Sequence, residues 1–297
     1  MAHCDTRPAT GSVAGRAHSV FSVTLRLVWN RAGAGEPLLL VHGIGTTHAD
    51  FATLRPGLEA HYDVLAPDLP GHADSPPLST PPTIGAIADA LEADLDTLGL
   101  GRVHVLGSSV GARVALELAI RGRARSVVAI APCGLGLPAE RIFQGAVMTT
   151  ARLLMRSIRP LIGTAARFPL GRALLLTNLR SAPWLSSEAE ARALRDGFAD
   201  SPDFWQQLWW AVLMDVPLGL EKIQCPVILA QGTTDVMSTP QTLRYLTMVP
   251  GSRLQPVLGG GHAPHSDAPD AIVELVRDAT AAAGTVRPGL ETGRVGT

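Results

Sequence analysis

A G-x-S-x-G pentapeptide, Gly107-Ser108-Ser109-Val110-Gly111, constrains this chain more than any other feature. It follows a short apolar run, 103–107 (VHVLG), and precedes a helical pattern over 110–121. A serine on a sharp strand-to-helix turn is forced into strained backbone angles. Glycines two residues to either side remove the Cβ atoms that would clash across such a turn. The turn presents the hydroxyl of Ser109 beside the positive end of a helix. Ser108 lacks glycines at those offsets and is rejected as the nucleophile.

The strand–turn–helix unit sits in a chain that repeats the same alternation. Residues 20–30 (VFSVTLRLVWN) alternate like a half-exposed strand. Residues 37–41, 62–67, 103–107, 126–131, 226–231 and 253–258 are short apolar runs of the kind found in buried parallel strands. Thr83 caps a predicted helix to about Leu98, with Ile84, Ile87, Leu91, Leu95 and Leu98 at spacings of three and four. Thr239-Pro240 and Ala268-Pro269 read as two further helix starts. The expected fold is α/β: a mostly parallel central sheet of about eight strands flanked by helices.

The alternation stops between Gly134 and Ile223, where helix follows helix. Ser187 with Glu190 forms a capping box, and Ser201-Pro202 opens another predicted helix. Four of the five tryptophans, Trp184, Trp205, Trp209 and Trp210, fall here. The expected organisation is a polar N-terminal tail (1–18), a first core part (19–133), a helical cap insert (134–223), a second core part (224–284) and a Gly-rich C-terminal tail (285–297).

Composition narrows the function classes. Hydrophobic residues make up 46% of the chain and charged residues 17%, with a net charge of -1. That is not a disordered chain. No polybasic run points to nucleic acid, and Lys222 is the only lysine. Cys4, Cys133 and Cys225 are far apart with no CxxC pair, so free thiols and a cytoplasmic location are expected. Residues 1–17 lack an apolar signal-peptide segment, and Arg152, Arg156 and Arg159 interrupt the most apolar stretch, so no membrane-spanning helix is expected.

A serine hydroxyl needs a base. Of nine histidines, His262 follows Gly259-Gly260-Gly261, after the last predicted strand and before the last helix. That puts it on a loop at the carboxyl edge of the sheet, the edge of Ser109, where open α/β sheets bind ligands. His265 is the competitor. The base needs an acid that fixes its tautomer. Asp235 directly follows the strand 226–231 and so reaches the same edge; Asp215 in the insert is the alternative. The order Ser109, Asp235, His262 is that of the G-x-S-x-G hydrolases. Two backbone N–H groups would hold the oxyanion: Val110, after the nucleophile, and Ile44, in His42-Gly43-Ile44-Gly45 after the strand 37–41. The His42 side chain reads as structural. Trp209, Trp210 and Met237 are the candidate substrate-binding residues, with at most one of the adjacent tryptophans facing a pocket.

These pieces resemble the α/β-hydrolase superfamily, and within it the capped, esterase-like serine hydrolases. Leu38 to Gly45 looks like the family's strand and oxyanion loop. Asp68-Leu69-Pro70-Gly71-His72-Ala73-Asp74-Ser75 is similar to its D-x-x-G-H-G-x-S loop, with Ala73 in place of the second glycine. Gly107 to Gly111 matches the nucleophile elbow, Gly232-x-x-Asp235 with Pro240 the acid loop, and Gly261-His262 with Asp267 and Pro269 the histidine loop. The resemblance covers about 20–280 and implies hydrolysis of an ester-like bond through an acyl-enzyme, without metal or organic cofactor. The apolar insert residues, among them Leu153, Leu154, Met155, Leu161 and Ile162, suggest a small, largely apolar substrate. Dehalogenases and epoxide hydrolases of this fold carry aspartate at the elbow, so Ser109 argues against both.

Arg113, just inside the elbow helix, has two open readings: pairing with an acidic neighbour, or shaping the acid-loop packing. Carbon–carbon bond hydrolysis, acyl transfer or perhydrolysis would use the same residues. A non-catalytic ligand-binding protein would be expected to lose a triad member, and none is lost. A membrane-surface lipase finds no basic face in the sequence. A homodimer through the cap or an edge strand is compatible with the sequence.

Overall fold

A computed structural model describes residues 26–177 and 179–285. The expected N-terminal tail, with Cys4, lies outside the described residues. So does the C-terminal one except for Thr285, which closes the last helix, Pro269–Thr285.

The apolar runs become a seven-stranded sheet, one strand fewer than expected: β1 (Trp29–Gly33), β2 (Glu36–Val41), β3 (Tyr62–Pro67), β4 (Val103–Ser108), β5 (Ala124–Ile130), β6 (Val227–Gly232) and β7 (Arg253–Val257). The spatial order is β1-β3-β2-β4-β5-β6-β7, and only β1 runs antiparallel to its neighbour. All six residues of β4 and of β6 are buried. They lie inside a sheet covered on both faces, which is why these runs are continuously apolar rather than alternating.

The predicted strand over 20–30 is displaced. Among its described residues, Arg26 and Leu27 give their backbone N–H groups to the carboxylate of Asp94, at 2.8 and 3.0 Å. Val28 gives its N–H to Ser75 Oγ at 2.9 Å. With those donors taken by side chains, ladder pairing begins only at Trp29, whose indole N–H also donates to Asp94 at 2.7 Å.

Two apolar clusters form the core. One packs the inner side of the sheet against the helices Ile84–Thr97 and Val110–Ile120; the other packs the opposite side against Pro269–Thr285. Thr83 caps the first of these helices, accepting the Ala86 N–H at 3.1 Å.

Between β5 and β6 every element is helical, beginning with Pro138–Ser157. The capping box is present: Glu190 Oε2 accepts the Ser187 N–H at 2.6 Å and Ser187 Oγ accepts the Glu190 N–H at 3.1 Å. The helix expected from Ser201-Pro202 begins later, at Phe204, because Ser201 is buried and spoken for. Its hydroxyl donates to Gly71 O at 3.2 Å and its carbonyl accepts from Arg152 at 2.8 Å.

The strand order reverses direction between β2 and β4. From β2 the chain moves outward to β3, then returns to place β4 on the other side. The carboxyl ends of β2 and β4 therefore flank a topological switch point, where open α/β sheets form their ligand crevice. The loop at Gly43 leaves one of these strands and Ser109 leaves the other.

Candidate active site

Ser109 adopts φ +54° and ψ −113°, angles that an L-residue tolerates only when the surroundings impose them. The surroundings do so. Its N–H donates to Ile130 O at 2.8 Å, and its carbonyl accepts from Arg113 N at 3.1 Å. A Cβ on Gly107 would stand 2.2 Å from Gly111 O, and one on Gly111 would stand 1.9 Å from Val41 O. Both glycines of the pentapeptide are thus required by close backbone approach. Val110 opens the helix that follows, so its N–H has no intrahelical acceptor.

The acid and histidine loops are held to each other. Thr234 gives both its N–H (3.0 Å) and its hydroxyl (2.9 Å) to Gly260 O. A Cβ on Gly232 would stand 2.0 Å from Gly261 O. Gly232 thus lets the histidine loop lie against the acid loop. The loop is also tied to the helical segment, since Ala263 N–H donates to Leu179 O at 2.8 Å.

His262 Nδ1 lies 3.0 Å from Asp235 Oδ2. The remaining partners of that carboxylate are donors: Gln231 Nε2 at 3.1 Å, the hydroxyl of Ser238, and the N–H groups of Met237 (2.8 Å) and Ser238 (3.3 Å). Burial alone would raise the Asp235 pKa, but His262 and these donors outweigh it and hold the carboxyl well below the usual range. An ionised Asp235 fixes the proton of a neutral His262 on Nδ1 and leaves Nε2 as the basic atom. For His262 the balance runs the other way: burial would lower its pKa, and the Asp235 charge with its hydrogen bond raises it.

Ser109 and His262 line one cavity together with Gly43 and Ile44. Its empty volume, counted with its opening to solvent, is about 620 Å³. Four apolar side chains, Met148, Leu179, Phe198 and Val212, line it with Met237, and Gln144 adds a carboxamide. Trp209 and Trp210, singled out in the sequence, are not on its wall. They lie in a π-helical turn, Leu208–Leu213, that turns Leu208, Ala211 and Val212 inward and leaves the two indoles 53% and 38% exposed. His265 is fully buried beside Phe51 and away from this cavity's wall. Asp215 is engaged by Arg113 Nε at 2.7 Å, and Arg113 also reaches Glu117 at 3.0 Å. That settles the two readings of Arg113 in favour of acidic neighbours.

The loop carrying Ile44 is held by two histidines. His42 Nε2 accepts the Leu69 N–H at 2.9 Å, so its proton sits on Nδ1, 2.8 Å from Gly43 O. His72 Nε2 accepts the Gly45 N–H at 3.0 Å. Burial lowers both pKa values, that of His72 to about 3, so both rings stay neutral and keep these acceptor roles. The role of His72 was not readable in the sequence, because its partner is a backbone N–H 27 residues away.

The sequence model of the Alpha/beta hydrolase family matches residues 38–275. The chain belongs to the alpha/beta hydrolase family. Among curated members, the epoxide hydrolase EphH of Mycobacterium tuberculosis is 32% identical over 195 residues, 64% of this chain and 91% of that protein. A pimeloyl-[acyl-carrier protein] methyl ester esterase of Neisseria meningitidis is 32% identical over 262 residues, 82% of this chain and 77% of that protein. Among solved structures of alpha/beta hydrolase fold, the enol-lactonase of Burkholderia xenovorans superposes with a TM-score of 0.68 at 22% identity, covering 85% of this chain and 95% of its own. No helix among the described residues is long and apolar enough to cross a membrane, and no cluster of metal-ligating side chains occurs among them.

Proposed function

We propose that this alpha/beta hydrolase cleaves an ester-like bond of a small, largely apolar substrate through an acyl-enzyme on Ser109. The observation that carries the reading is the Asp235–His262 pair, hydrogen-bonded at 3.0 Å, whose imidazole shares a cavity wall with the strained Ser109. His262 Nε2 takes the Ser109 proton as Oγ attacks the carbonyl carbon. The N–H groups of Ile44 and Val110 stabilise the oxyanion. The tetrahedral adduct collapses, His262 protonates the leaving alcohol, and the acyl group remains on Ser109. Water then attacks, giving its proton to His262, and the acid leaves. No step requires a metal or organic cofactor.

The helical segment 134–223 acts as the cap and supplies Gln144, Met148, Leu179, Phe198 and Val212 to the pocket. Its apolar walls favour an aliphatic acyl or alcohol group. The relative named an epoxide hydrolase does not transfer its chemistry to this chain. A carboxylate at the elbow would open an epoxide by alkylation; a serine alkoxide would leave an ether that His262-activated water cannot hydrolyse. Carbon–carbon hydrolysis and acyl transfer remain open to the same three residues and are separated from ester hydrolysis by product analysis. A p-nitrophenyl ester series from acetate to decanoate tests the proposal. Saturable turnover with a chain-length optimum supports it; no turnover of any ester, with a folded protein, contradicts it.

A further inference from the structure

The Ser109 cavity adjoins a second one of about 580 Å³, and the two share the wall residues Thr46, Asp50, Leu179 and Ala263. Asp50 sits in the short 3-10 turn His48–Phe51 that follows the Ile44 loop. Its side chain is 20% exposed. Among the described residues its ion-pair contact is with His265, whose Nε2 lies 3.3 Å from Oδ2. The contact reaches one of the two oxygens, so the carboxylate keeps acceptor capacity for the cavities. Burial would raise its pKa, but contact with the His265 ring outweighs this and lowers it, so the carboxyl is ionised.

The rest of the second cavity does not neutralise that charge. Its one cationic side chain among the described residues, Arg180, is spent on Ser186 Oγ (2.6 Å), Glu190 (2.8 Å), Asp267 (3.3 Å) and the carbonyl of Ser266. Two of the three threonines on the wall are acceptors too. Thr46 and Thr53 donate their hydroxyl protons to Gly43 O (3.0 Å) and His265 O (3.3 Å), which leaves oxygen lone pairs. Acceptors around an ionised carboxylate favour a cation and repel an anion.

We propose that Asp50 forms a subsite for a cationic, amine-type head group at the far end of the substrate, opposite the bond presented to Ser109. This rests on reading the Ser109 cavity as the substrate site, and it adds a charge preference to an otherwise apolar pocket. Three near-isosteric butyrate esters separate the possibilities: 3-(dimethylamino)propyl (cationic at pH 7), 4-methylpentyl (neutral) and 3-carboxypropyl (anionic). Binding is measured by calorimetry with the Ser109→Ala protein, so the result does not depend on turnover.

The cationic ester is expected to bind about tenfold tighter than the neutral one, a difference of about 1.4 kcal/mol, and the anionic ester weakest. Adding Asp50→Asn should bring the cationic and neutral esters within about twofold, whereas Asp50→Glu should keep the order. Equal binding of the three esters, or a tenfold preference that survives Asp50→Asn, overturns the proposal. If Asp50→Asn does not fold, the order in the Ser109→Ala protein and in Asp50→Glu still decides. Turnover of the neutral ester by the unaltered chain is followed in parallel. Its absence alongside an intact binding order would remove the serine-hydrolase reading and leave the subsite standing.

Discussion

The rim of the sheet and the helical segment above it are built on opposite plans. At the rim, hydrogen bonds fix the acid and the loop of Ile44. The Asp235 carboxylate accepts from four groups besides His262's ring contact, and neutral His42 and His72 hold the loop of Ile44. The helical segment meets the cavity mainly through apolar side chains, and elsewhere leaves Ile142, Leu161, Leu170 and Leu174 more than 60% exposed. A preorganised polar rim can stabilise developing charge without reorganising. An apolar roof discriminates by volume, and each methylene is worth only about 1–3 kcal/mol. The contrast places rate in the rim and selectivity in the roof, and substitutions in each region should reveal the difference.

The largest effect belongs to the rim. Ser109→Ala should lower kcat by about 10⁶ on any ester cleaved, by comparison with a lost triad serine in subtilisin, with unchanged thermal stability. Asp235→Asn should cost about 10⁴ in kcat, since the amide no longer enforces the Nδ1 tautomer. A pH profile sharpens the same point. His262 must be neutral to act as base and its pKa is raised, so kcat/KM should climb through an apparent pKa above 6.5. An ascending limb below 6.5 would break the Asp235–His262 coupling.

The same pair sets a stability window. The depressed Asp235 pKa contributes stability that is present above about pH 3.8 and is lost as the pH falls through the native value. The raised His262 pKa contributes below about pH 6.5 and is lost as the pH rises through its native value. The Tm difference between the wild type and Asp235→Asn should therefore be widest between those limits. The smallest effect belongs to the roof. Met148→Ala should leave kcat on short esters within about threefold and move the chain-length optimum to longer acyl groups. A hundredfold loss in kcat there would dissolve the division between the two regions.

How much was readable in the sequence follows the same line. β3 was placed at Tyr62–Pro67 to the residue, and the Ser187–Glu190 box was found, because both are local patterns. The glycines at 107 and 111 pointed to the strained turn because close backbone approach admits no other residue there. What escaped depends on partners remote in sequence. Asp94 takes the N–H groups that would have extended the first strand. Arg152 and Gly71 engage Ser201 and delay the helix to Phe204. A π-helical turn rotates Trp209 and Trp210 outward, which a 3.6-residue periodicity cannot anticipate. Asp50 carries no local signature, since its position between two cavities exists only once the helical segment closes over the rim.

The most direct measurement is labelling with a fluorophosphonate probe followed by peptide mapping. Only a serine whose hydroxyl is activated by a neighbouring base reacts rapidly. The account predicts fast modification confined to Ser109, absent in Ser109→Ala and strongly slowed in His262→Ala. Modification at another residue, or an unlabelled Ser109 in folded protein, would contradict it.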